Sequence, residues 1–133
     1  TTNAFECNEK ILMEELIYPE LSFKVVGLCF VVHNELGIYA KEKQYADLLE
    51  QKLVQTKLPY TREQSIGGSG NIVDFIIDDK ILLELKAKRM VTREDYYQTQ
   101  RYLQETQLKL AIVVNFRNHA IHPKRVVRID KRN

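Results

Sequence analysis

The chain has 133 residues, 44% of them hydrophobic and 29% charged, with a formal net charge of +2. That length suits one domain able to bury a core of its own. Five glycines and three prolines exclude a fibrous or low-complexity chain, and so small a positive charge does not by itself imply a polyanionic partner. Cys7 and Cys29 are the only cysteines. Cys29 lies in an apolar helical pattern and reads as a small core residue, so no disulfide is expected. No secretory signal and no apolar run of transmembrane length is legible. The expectation is a reducing, cytoplasmic setting with no membrane contact.

Residues 1–18 are polar and mixed and read as an N-terminal extension, in which Ile11, Leu12, Leu16 and Ile17 suit a short helical turn. Residues 19–133 read as a single domain. Pro19 marks a helix start. From Glu20 to Leu36 the apolar residues Leu21, Val25, Leu28, Cys29, Val32 and Leu36 recur at helical spacing, and Gly37 is placed to end that helix. A second helix runs from about Lys41 to Lys57, with Tyr45, Leu48, Leu49 and Leu53 on one face and Pro59 closing it. Tyr60 to Ile66 reads as a strand, and Gly67 to Asn71 as a hairpin loop. Ile72 to Ile77 and Ile81 to Ala87 are the next two strands. Thr92, with Asp95 three residues on, caps a third helix that runs to about Gln104. Leu110 to Phe116 is a continuous apolar run, as in a buried parallel strand. Arg125 to Ile129 reads as a last, edge strand. A strand, a helix and a second buried strand in succession form a crossover whose two strands lie parallel. The fold class is α/β, a mixed sheet with helices on its faces.

Within this order, Asp74 to Lys86 holds the most chemistry. Side chains alternate along a strand, so Glu84 and Lys86 share one face while Leu83, Leu85 and Ala87 share the other. Acids within such apolar strands are costly without partners, and a divalent metal is the natural one. Whether Asp74 joins them depends on the turn. A three-residue loop at Asp78-Asp79-Lys80 pairs Ile77 with Ile81 and brings Asp74 opposite Glu84. A two-residue loop at Asp79-Lys80 shifts the register by one and sends Asp74 to the other face. The three-residue loop is favoured because it gathers the polar side chains.

Asp74, then Glu84-Leu85-Lys86 after a hairpin, then a helix and a buried strand, resembles the PD-(D/E)XK nuclease superfamily, with Val73 in place of the usual proline. Val32-His33-Asn34-Glu35-Leu36-Gly37 followed by Glu42-Lys43-Gln44-Tyr45 is similar to the signature of its GxxExxY branch. So are Gln98 with Tyr102-Leu103, and Val113-Val114-Asn115-Phe116 with Lys124-Arg125. A second glycine usual in that branch is absent, since Ile38-Tyr39 follow Gly37. The resemblance covers about Ile17 to Ile129 and implies a restriction-endonuclease-like mixed central sheet flanked by helices. It further implies that Asp74 and Glu84 hold Mg²⁺ or Mn²⁺, that Glu42 completes the metal shell, that Lys86 positions or deprotonates the attacking water, and that Gln98 orients substrate or water near Lys86.

Phosphodiester hydrolysis needs those parts in any fold. A metal on oxygen ligands lowers the pKa of its water and neutralises charge on the phosphorane, and Mg²⁺ keeps several waters, so two or three carboxylates suffice. Lys88, Arg89 and Arg93 cluster after the acidic strand, and Lys124 and Arg125 near the C-terminus, where they could grip phosphates without reading sequence. Tyr96, Tyr97 and Tyr102 could stack on bases. Each residue also has a plainer role to weigh. Glu84 and Lys86 would make a cross-strand ion pair, Asp74 a turn acid, Glu42 a first-turn acid favoured by the helix dipole, and Gln98 a solvated helix residue. His33 reads as a helix-end or core histidine rather than a ligand. The expected function is a metal-dependent nuclease acting on DNA before RNA, alone, as a homodimer or with a larger nucleic-acid enzyme. The alternative is an inactive nucleic-acid-binding module or a partner-dependent subunit.

Overall fold

The computed structural model describes residues 17–130; Ile11, Leu12 and Leu16 of the N-terminal extension lie outside them. Eight elements follow in chain order. They are α1 (Pro19–Leu36), α2 (Glu42–Gln55), β1 (Tyr60–Ile66), β2 (Asn71–Ile77), β3 (Ile81–Lys86), α3 (Arg93–Thr106), β4 (Leu110–Asn115) and β5 (Lys124–Val127). Each element expected within residues 19–129 is present; β1 matches end for end and the other ends are displaced by at most two residues. The strands form one sheet in the order β1-β2-β3-β4-β5. Only β3 and β4 are parallel, because only they are joined by a helical crossover, α3.

Binary patterning explains the layers. Helices α1 and α2 put Val25, Cys29, Val32, Tyr45, Leu49 and Leu53 against one sheet face, made by Phe75, Ile77, Ile81, Leu83, Leu85, Ile112 and Val114. Helix α3 covers the other face with Tyr102 and Leu103 over Leu82, Ala111 and Val113. All six residues of β4 are buried, as a strand covered on both faces must be. No helix among the described residues is long and apolar enough to cross a membrane.

The ends of α1 and α2 are fixed by local chemistry. Pro19 opens α1, where its missing N–H costs no hydrogen bond. Gly37 closes it at φ 72°, with its N–H donated to the His33 carbonyl at 2.8 Å. The Tyr45 hydroxyl then donates to the Gly37 carbonyl at 2.5 Å, and the Tyr45 ring stacks on Phe116 at 4.3 Å. This bond holds the turn between the two helices without a second glycine. His33 is buried at the end of α1 and donates through Nε2 to the Asn118 carbonyl at 2.7 Å, so it is a structural histidine. Cys29 is fully buried, and burial pushes its thiol up to about 12.

Candidate active site

The turn between β2 and β3 is the three-residue loop. Ile77 pairs with Ile81, Ile76 with Leu82 and Phe75 with Leu83. Asp78 and Asp79 both adopt positive φ, which short polar side chains tolerate in tight turns. The ladder then stops. One step further along the same register stand Asp74 and Glu84, and their side chains take over the hydrogen bonding. The Asp74 N–H donates to Glu84 Oε1 at 3.2 Å, and the Leu85 N–H donates to Asp74 Oδ2 at 2.7 Å. The two carboxylates therefore occupy a gap where two antiparallel strands separate.

A kink in β2 makes that gap. Arg62 pairs with Phe75 and Gln64 with Val73, while Glu63, between them and opposite Asp74, has φ 52°. Phe75 belongs to the core beneath α1 and α2, but Val73, two residues earlier, packs with the α3 side. Simple alternation would put both on one face, so the strand changes face at Asp74. A cavity of about 240 Å³ opens there, lined by Glu42, Arg62, Glu63, Asp74 and Leu85. Arg62 itself is held by Asp47 and Glu50 at 2.8 and 2.9 Å.

Glu84 is only 5% exposed. Burial first, and then the charge of Asp74 beside it, pushes its carboxyl up to about 8, against the opposing pull of the Asp74 N–H and Lys86. Glu42, the first residue of α2, lines the same cavity as Asp74. Shielding from water and then the charge of Asp74 raise its pKa, while Lys86 and Lys88 oppose the change. Tyr45 lies one turn after Glu42, so the ring that locks α2 onto the core also fixes where Glu42 stands.

Helix α3 supplies the opposite wall. Asp95, Gln98 and Tyr102 recur at spacings of three and four, on one helical face. Lys86 Nζ donates to Gln98 Oε1 at 3.4 Å and stands 4.0 Å from Asp95 Oδ1. Burial and then the charge of Glu84 raise the Tyr102 pKa. Asp95 has two roles. It closes the capping box, accepting from the Thr92 N–H at 2.7 Å, and its carboxylate pairs with Lys88. Burial alone would raise its pKa, but the hydrogen bonds from Lys88 and Thr92 hold it below the usual carboxylate value. Only the capping role was legible in the sequence. The charges clustered at Lys86 and Lys88, seven to nine residues away, were the signal for the second. Asn115 is a further site residue: its side chain accepts from the Lys88 N–H at 3.1 Å and donates to the Lys88 carbonyl at 2.7 Å. This clamp fixes the chain as it leaves β3.

The basic residues divide. Arg89, Arg93 and Lys124 are exposed, whereas Lys88 is paired with Asp95. Arg125 donates to Ser22 Oγ at 2.6 Å and to the Ile17 carbonyl at 2.9 Å. Those bonds tie β5 to the start of α1 and take the guanidinium away from the set available for phosphates. Tyr96 and Tyr97 are exposed, while Tyr102 is buried.

Comparison with known proteins matches a family model, the PD-(D/E)XK nuclease superfamily, to residues 19–129. The chain belongs to the PD-(D/E)XK nuclease superfamily. Its five-stranded mixed sheet flanked by three helices is the restriction-endonuclease-like form of that fold. No curated protein and no solved structure matches the chain. Members of the superfamily typically use divalent metals, and the donor set here suits one in part. Asp74 and Glu84 offer hard oxygen donors, and the Glu84 carboxyl, raised first by burial and then by the charge of Asp74, would be drawn to its charged form by a cation. Among the described residues, no group of three or more acidic, histidine or cysteine side chains is gathered tightly enough to hold an ion. The fit is therefore to a hard cation that retains several of its waters, with Glu42 across the cavity rather than in one cluster with the pair.

Proposed function

We propose that this superfamily domain is a metal-dependent nuclease of the GxxExxY branch that hydrolyses phosphodiester bonds, in DNA before RNA. The observation that carries the reading is the buried Asp74–Glu84 pair at the break in the β2–β3 ladder, with Lys86 on the same face of β3 as Glu84. Asp74 and Glu84 would hold Mg²⁺ or Mn²⁺, with Glu42 reaching the same cavity from α2. Such an ion supplies charge neutralisation and lowers the pKa of coordinated water.

The chain's own residues do the rest. Gln98 and Asp95 steady the Lys86 ammonium at the edge of the acidic pair, where it can orient an attacking water and stabilise developing negative charge. Lys88 and Asn115 keep the end of β3 in register with α3 and β4. Arg89, Arg93 and Lys124 provide exposed cations for the phosphate backbone. The separation of Glu42 from the other two acids favours a second reading, a nucleic-acid-binding module that needs a partner to complete its site.

Calorimetric Mg²⁺ and Mn²⁺ titrations of wild type, Asp74→Ala and Glu84→Ala, run beside cleavage assays on single- and double-stranded DNA and RNA, separate the two. Metal binding lost in both variants, and cleavage lost also in Lys86→Ala, support the nuclease. Metal binding without cleavage supports the incomplete module. No metal binding by wild type sinks both the metal site and the hydrolytic mechanism.

A further inference from the structure

A second cleft, of about 450 Å³, lies on the same sheet face as Glu84 and Lys86. Residues paired across a sheet share a face, so the register places it. Lys86 pairs with Asn115; Glu84 pairs with Val113, and Val113 with Lys124. Val113 and Asn115 line the cleft, with Lys124 at its far side. Two strand spacings separate Glu84 from Lys124, or about 10 Å. The cleft also stands at the carboxyl ends of the parallel strands β3 and β4, where α/β sheets commonly receive ligands.

Both walls are held in place. Asn115 clamps Lys88 at the base of the wall formed by Arg89, Met90 and Val91. The facing wall carries Asn118 and His122. It is anchored by the His33 hydrogen bond to the Asn118 carbonyl and by Ile121, which is buried in the core. The cleft is thus preformed, and its volume falls within the roughly 300–1,000 Å³ typical of small-ligand sites.

The side chains around it are of three kinds. Arg89 and Lys124 are exposed cations that have no ion-pair partner among the described residues. Met90 and Val91 present apolar surface, 66% and 38% exposed. His122 and the side chain of Asn118 offer polar edges. Cations beside an apolar wall and polar edges are what one nucleotide needs: charge for the phosphate, a dry surface for the base and hydrogen-bonding groups for its rim.

We propose that this cleft seats the nucleotide flanking the cleavage position, with its phosphate between Arg89 and Lys124 and its base against Met90 and Val91. The proposal rests on the nuclease reading for the position of cleavage, but not for the binding itself. A base can enter a walled cleft only if it leaves its stack, which costs a few kcal/mol in a duplex and far less in a single strand. The cleft therefore selects single-stranded or frayed nucleic acid.

The test is fluorescence anisotropy with short labelled DNA and RNA single strands and a blunt DNA duplex, in Mg²⁺, using the full chain carrying Lys86→Met to suppress turnover. In that background Arg89→Ala with Lys124→Ala should weaken single-strand binding about tenfold or more, while Lys24→Glu, an equal two-unit charge change on α1, should change it by less than about twofold. An abasic residue within the strand should weaken binding several-fold at one position only, in DNA and RNA alike. The duplex should bind more weakly than the single strand. Failure of any one of these overturns the proposal, and so does a wild type that binds no strand. Since the readout is binding, absence of cleavage by wild type would defeat the nuclease reading and leave the cleft standing.

Discussion

Glu84→Gln is the most informative single substitution. In the folded protein Glu84 keeps its proton up to about pH 8, because it is buried beside Asp74. In the unfolded chain it gives that proton up near 4.5. Between those values the folded state holds the extra proton, so metal-free stability falls as pH rises. The contribution is intact below about 4.5 and lost above about 8. At about 1.4 kcal/mol per pH unit this interval sets an upper bound of about 5 kcal/mol, and relaxation around a coupled pair reduces it to about 2–3 kcal/mol. Gln is the neutral mimic of the protonated acid and keeps an oxygen for the Asp74 N–H. In EDTA, Glu84→Gln should match wild type at pH 5 and exceed its melting temperature by roughly 10 °C at pH 8, at about 4 °C per kcal/mol. Added Mg²⁺ should reverse the order, stabilising wild type more at pH 8 than at pH 6 and leaving the variant unmoved. Calorimetric melts across that range decide the matter. A metal-free wild type equally stable at pH 5 and pH 8, or a variant less stable than wild type at pH 8, would refute the burial argument.

Four further outcomes are expected. Lys86→Met should lower cleavage by about 10²-fold or more while leaving the Mg²⁺ titration near that of wild type; equal loss of both would make Lys86 a structural residue. Tyr45→Phe removes the hydroxyl bond to Gly37 but keeps the stack on Phe116, and should cost about 1 kcal/mol in urea denaturation. Asp95→Ala loses a helix cap and the Lys88 pair and should cost about 1–2 kcal/mol at neutral pH. Because the folded Asp95 pKa is depressed, its charge-dependent contribution is present above the unfolded value of 3.8 and fades as pH falls, so that part of the gap to wild type should narrow towards pH 3. Cys29, with its thiol pushed up to about 12, should resist thiol reagents at pH 8 in a Cys7→Ser background, and labelling should follow unfolding in denaturant.

Local pattern was enough to set the elements and their order. Helical spacing of Val25, Cys29 and Val32, and of Tyr45, Leu49 and Leu53, identified the buried faces of α1 and α2, while Gly37 marked the end of α1 and Thr92 the start of α3. The period of two put Glu84 and Lys86 together; of the two turns the sequence left open, the favoured three-residue one at Asp78-Asp79-Lys80 forms, and its register brings Asp74 to Glu84. These outcomes depend on neighbours in the chain, on turn chemistry and on which face can be buried.

Tertiary structure alone decided the rest. The face change in β2 at Asp74 comes from the irregular pairing of β2 with β1 at Glu63, and no alternation rule reports a distortion imposed by another strand. Glu84 is strongly perturbed because the fold buries it beside Asp74, ten residues earlier in the chain, and Lys86 meets Gln98 of α3 twelve residues further on. Lys88 found Asp95 and Arg125 found the start of α1, contacts that turned two members of a plausible phosphate-binding set towards the protein itself. Sequence determines which charges and faces exist, because those follow from residue type and short-range geometry. Which charges meet, and which remain open to a ligand, follows from packing among segments that the chain holds far apart.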